Sequence, residues 1–128
     1  MRTKLVTLVG LVASLAFAAR PVFAHHAWHG YDSSDVTAIR GTVTDFDWGN
    51  PHVWINFEVK DDKGNTQKWS AGGPSPNRMA NTGWDKETLR PGDTITAIGH
   101  RNKDGSYLMR LEKVELSDGR TLLCYGKR

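Results

Sequence analysis

The chain has 128 residues, with 17 Lys+Arg against 14 Asp+Glu, five histidines and a single cysteine. That length holds one domain with one hydrophobic core, and a lone cysteine excludes an internal disulfide. The formal charge of +3 is carried by Arg2, Lys4 and Arg20, which precede residue 25 in a stretch free of acids. The rest of the chain is therefore formally neutral and lacks the net basic surface that nucleic-acid binding needs.

Met1-Arg2-Thr3-Lys4 is a short basic start, and Leu5 to Ala19 is apolar apart from Thr7, Gly10 and Ser14. Such a run is too short for a membrane span and suits the core of a secretory signal peptide. Arg20-Pro21 ends it, and Val22-Phe23-Ala24 offers the small-x-small pattern of a cleavage site. Ala16-Phe17-Ala18 fits the same rule but would leave no polar segment ahead of the cut. The pattern predicts a signal peptide over residues 1–24, a periplasmic or secreted protein, and no membrane span after processing.

The mature chain then begins His25-His26-Ala27-Trp28-His29. Residues 25–35 have little periodicity and form an N-terminal arm. Residues 36–128 read as one β-domain. Val36 to Trp48 is rich in β-formers, but Ile39, Val43 and Phe46 are out of a single phase, so a bend or bulge is expected, with Gly41 as its marker. Gly49-Asn50-Pro51 is a turn. His52 to Lys60 alternates cleanly, with Val53, Ile55, Phe57 and Val59 on one face and His52, Trp54, Asn56 and Glu58 on the other. Asp61 to Asn65 makes a hairpin loop around Gly64, and Thr66 to Ala71 is the third strand.

Ser75 and Pro76 predict the start of a short helix, with Gly83 as its stop. Asp85 to Leu89 predicts one more helical turn. Pro91-Gly92-Asp93 leads into a fourth strand over Thr94 to Arg101. Asn102 to Ser106 turns into a fifth, Tyr107 to Leu116, and Ser117 to Arg120 turns into a short terminal strand, Thr121 to Tyr125. The order β-β-β-α-β-β predicts an all-β, OB-like small barrel of five to six strands, with its helix between strands three and four. A small β-sandwich is the alternative.

Several strings occur together: His-His-x-Trp-x-x-Tyr-Asp from His25, Gly41-Thr42-Val43-Thr44, Trp48-Gly49-Asn50-Pro51-His52-Val53-Trp54-Ile55, and Gly83-Trp84 with Leu89-Arg90-Pro91-Gly92-Asp93-Thr94-Ile95. With Lys103-Asp104-Gly105-Ser106 they resemble a family of small exported bacterial proteins of unknown function, whose members start with a His-His pair and carry an Asn-Pro-His motif. The resemblance spans the mature chain. It implies export and one shared fold, and it implies no activity.

The histidines carry the clearest chemistry. Imidazole is the commonest protein ligand for copper, zinc and nickel. An N-terminal His25 can chelate through its α-amino nitrogen and its ring Nδ1. A distant third nitrogen then completes the arrangement called a histidine brace. His52 or His100 would supply it, with His26 and His29 as substitute ligands, and copper is the metal this set favours. The plainer reading is a frayed histidine-rich arm that picks up metal adventitiously. Ala27 at position three excludes the N-terminal Cu/Ni motif that needs histidine there. Met79 and Met109 are isolated, so a thioether copper carrier is not indicated.

Trp54 shares the outer strand face with His52. With Trp28 it could line a groove for a sugar, a peptide or a protein partner, or it could be an incidental aromatic on a solvated face. Trp48, Trp69 and Trp84 read as core, and Cys124 as an ordinary small apolar residue. The chain has no Gly-x-Ser-x-Gly, no phosphate-binding loop and no cysteine with a positioned histidine. It reads as a binding protein. An oxidative copper enzyme is the catalytic alternative, without a recognisable substrate surface.

Overall fold

The computed structural model describes residues 30–32 and 34–126. The signal segment and the arm residues His25, His26, Trp28 and His29 lie outside the described residues. Six strands form: β1 (Thr37–Asp47), β2 (Trp54–Lys60), β3 (Thr66–Gly72), β4 (Thr94–Arg101), β5 (Leu108–Leu116) and β6 (Thr121–Leu123), with helix α1 (Pro76–Ala80) between β3 and β4. The sheet order is β3-β2-β1-β4-β5-β6, and β3 also pairs in parallel with β5. That last ladder closes five strands into a barrel and leaves β6 outside it. Closure removes the unpaired edges a sandwich would keep, so the barrel holds and the sandwich does not.

β1 makes the closure possible by serving both halves. Its first part, Thr37 to Thr42, pairs with β4, and its second part, Thr42 to Asp47, pairs with β2. The register slips between Val43 and Asp45, so the bulge falls at Thr44 and not at Gly41. Gly41 serves close approach instead, because a Cβ there would lie 2.5 Å from the Glu58 carbonyl oxygen. The coiled strand crosses its neighbour closely at that point, and only glycine fits.

The alternation of β2 sets the core. Val53, Ile55 and Phe57 are fully buried, and their neighbours Trp54 and Asn56 are only half-buried. Trp69 stacks near Phe57 with ring centroids 6.3 Å apart. Ile95, Ala97, Met109, Leu111 and Val114 complete the interior from β4 and β5. Ser75 precedes α1 as expected, but its side chain makes no capping bond, and its carbonyl accepts from the amides of Arg78 and Met79 instead. Pro76 at the first helical position needs no donor there.

Gly83, at φ +97°, stops the helix. Its amide bonds Ala80 O while Trp84 N bonds Met79 O, the Schellman pattern. Met79 and Trp84 then pack into the core. The expected second helical turn does not form. Asp85 to Leu89 is a hydrogen-bonded turn, because the Asp85 carboxylate accepts from Glu87 N and the Thr88 hydroxyl accepts from Asp85 N. Side chains thereby take the amides that would otherwise start a helix. Trp84 Nε1 donates to Leu123 O at 2.9 Å, tying this linker to β6.

Candidate functional site

The two histidines outside the arm occupy different environments. His52 sits in the loop between β1 and β2, just after the cis Asn50-Pro51 bond, and is half-buried. Its Nδ1 lies 3.0 Å from the carbonyl oxygen of Gly73. A carbonyl only accepts, so Nδ1 carries the proton and the lone pair of the neutral ring falls on Nε2. The Gly73 amide bonds Val53 O, and Val53 N bonds Pro74 O. This reciprocal pair fixes the strap against which His52 rests.

His100 ends β4 and is 8% exposed. Its Nδ1 lies 3.0 Å from Asp35 O, and its Nε2 lies 3.2 Å from Glu112 Oε1. Neither a carbonyl nor a carboxylate can donate, so this geometry is satisfied when both ring nitrogens carry protons. Arg110 Nη2 reaches the same Glu112 oxygen at 3.1 Å. From the sequence, His100 is a candidate third nitrogen at the end of the fourth strand. The structure buries it, because the segment leading into β1 folds over it.

The register separates the two. One row of paired residues runs round the barrel through Asp47, Trp54, Gly72, Arg110 and His100. Strands β3 and β5 stand between Trp54 and His100, a path of about 14 Å at ordinary strand spacing. The other way round, His100 lies beyond Thr37 at the start of β1 and His52 beyond Asp47 at its end. The two imidazoles therefore do not share a site. Among the described residues, no cluster of three or more histidine, cysteine or carboxylate side chains could hold a metal.

Trp54 does face outward, half-buried, opposite Gly72. Beside it runs a polar ladder: the Ser70 hydroxyl donates to Asn56 Oδ1 at 2.6 Å, and Asn56 Nδ2 donates to Asp45 Oδ2 at 3.3 Å. Trp69 and Trp84 are core and Trp48 packs against it, as the sequence predicted.

The arm's inner end is held. Lys103 N bonds Gly30 O, Asp32 N bonds Arg101 O, and Tyr31 bridges Asn102. Arg101 in turn lies 5.0 Å from the Trp69 ring and donates to the carbonyls of Gly105 and Ser106. The arm therefore leaves the barrel beside the loop between β4 and β5.

A cleft of about 680 Å³ opens on the outer wall of β4 and β5. His100, Ile98 and Glu112 line it, with Val36 on one side and Leu123 and Tyr125 on the other. Arg78 of α1 stacks over the Tyr125 ring at 5.6 Å. Burial pushes the Tyr125 phenol up from its ordinary range, so it stays a neutral hydroxyl. Its oxygen is shielded beside Arg110. A guanidinium only donates, so Arg110 cannot accept the phenolic proton, and among the described residues no acceptor for it is found. Burial, reinforced by Glu112, raises the neighbouring Cys124 thiol far above its usual range, which makes it unreactive. No motif in the chain announces this cleft. A register shift at Ile98/Gly99 leaves Glu112 without a β4 partner, and alternation cannot reveal that.

No described helix is long and apolar enough to cross a membrane. No curated protein matches the chain. Among solved structures, apo TiaS, a tRNAIle2 agmatidine synthetase, is similar at 23% identity and a TM-score of 0.43 over 70% of this chain and 19% of its own. The ZRD-deleted TiaS mutant in complex with agmatine is similar at 24% identity and a TM-score of 0.41, over 79% and 25% respectively. The chain thus spans a small part of either protein. The family model for DUF6152, a family of unknown function, matches residues 4–109, and the chain belongs to that family.

Proposed function

We propose that the protein is exported, loses residues 1–24, and binds a copper-like divalent metal. His25 would chelate through its α-amino group and ring, and His52 would supply the distant nitrogen. One observation carries this reading: the Gly73 carbonyl accepts from Nδ1 of His52 at 3.0 Å. A metal-ligating histidine is commonly oriented this way, with one ring N–H given to a backbone carbonyl. His100 does not suit the role, because Asp35 and Glu112 hold both its nitrogens.

Five residues of arm precede Gly30 and reach at most about 17 Å when extended. Closing the site within one chain needs that arm stretched across β5 and β3. A site shared by two chains is the other geometry, and the mass of the metal-loaded protein distinguishes them.

The test is a Cu(II) titration of the chain beginning at His25. Stoichiometric binding is expected. It should be lost in His25→Ala and in a chain with one extra residue ahead of His25. Equal binding by the extended chain would show that the α-amino group is not a ligand, and the brace would fall.

The half-buried Trp54 beside the Asn56–Ser70 ladder favours a second reading, an envelope module that recognises a sugar, peptide or protein on its barrel face. Under that reading Trp54→Ala abolishes capture of the partner and leaves metal affinity unchanged.

A further inference from the structure

The geometry points to the cleft on the outer wall of β4 and β5 as a binding site for a small organic anion with an apolar body, such as an aryl or alkyl carboxylate. Its volume, about 680 Å³, lies within the range of ligand pockets, which combine apolar walls with a few placed polar groups. The walls fit that description. Ile98 forms an apolar floor, and Val36 and Leu123, both exposed, form the two lips.

The charge is asymmetric. Arg78, Arg110 and Lys113 line the cleft against one carboxylate, Glu112. Arg110 and His100 already satisfy Glu112 from two sides. Among the described residues, Arg78 and Lys113 have no carboxylate within ion-pair distance. Two unmatched cations beside an apolar floor suit a carboxylate whose hydrocarbon tail lies on Ile98. Guanidinium groups bind carboxylates with charge-assisted hydrogen bonds.

The Tyr125 ring supplies an aromatic wall, and the Arg78 guanidinium lies over it at 5.6 Å from the ring centroid. His52, the described residue of the proposed metal site, does not line the cleft.

The test is a nuclear magnetic resonance titration of the processed chain with 4-phenylbutyrate, and with its neutral amide as the control. Saturable shifts are expected for the acid, confined to the residues that line the cleft: those of α1, β4, β5 and β6, Val36 ahead of β1 and the segment after β6. In Arg78→Gln/Lys113→Gln the acid should bind about tenfold more weakly, with little change in thermal midpoint because neither side chain is in the core. Equal affinity for the amide, equal affinity of the double variant, or shifts centred on Trp54 would each overturn the proposal.

Discussion

His100 and His52 meet the same kind of partner in opposite settings. Each gives Nδ1 to a backbone carbonyl at 3.0 Å. His100 is then closed off, with Glu112 against its other nitrogen and 8% of its surface exposed. His52 remains half-buried in a loop at the far end of β1. The first is a strut that fixes the lead-in to β1 onto β4 and β5. The second is oriented at a partly open position. Residue type alone does not distinguish a structural imidazole from a ligand, but the degree of enclosure does.

The strongest way to break the strut is through the backbone beneath it. A methyl at Gly99 would collide with the Arg110 backbone carbonyl, which no rotamer change relieves. Gly99→Ala should cost about 3 kcal/mol or more, and in a domain of this size each kcal/mol lowers the thermal midpoint by roughly 4–8 °C. Next comes His100→Ala, which strips Asp35 O of its donor and Glu112 of one of two. A loss of about 2 kcal/mol is expected in a denaturant melt. A loss below about 0.5 kcal/mol would remove the distinction between the two histidines.

Trp84→Phe keeps the ring in the core and deletes the bond to Leu123 O, so about 1 kcal/mol is expected. His52→Ala should cost less than about 1 kcal/mol, since its bond to Gly73 O is partly solvated. The smallest effect concerns Cys124. Its folded thiol titrates well above the unfolded one, so stability is unaffected below about pH 8.5 and falls as pH rises beyond it. Thiol reagents at neutral pH should label the protein only after unfolding.

The strands were legible because their physics is local. Val53, Ile55 and Phe57 alternate, and Gly64 adopts the positive φ its hairpin needs. Gly83 and Pro76 likewise bracket α1 in the sequence. What was not legible depends on long-range closure. Gly41 marks a strand crossing and not the bulge, and that distinction rests on Glu58 in another strand. The burial of His100 depends on Asp35, 65 residues away. The cleft combines residues from α1, β4, β5 and the segment after β6, none of which forms a motif. Of the candidate ligands, His52 and His100 could be placed and separated, while His25, His26, His29 and Trp28 lie outside the described residues.

If His52 is the ligand nitrogen and His100 the strut, electron paramagnetic resonance of bound Cu(II) tells them apart most directly. The chain beginning at His25 is compared with its His52→Ala and His100→Ala variants. His52→Ala should remove one nitrogen from the copper hyperfine pattern with little change in stability. His100→Ala should leave the pattern intact while lowering the thermal midpoint. An unchanged spectrum in His52→Ala, or a nitrogen lost in His100→Ala, would contradict this division of roles.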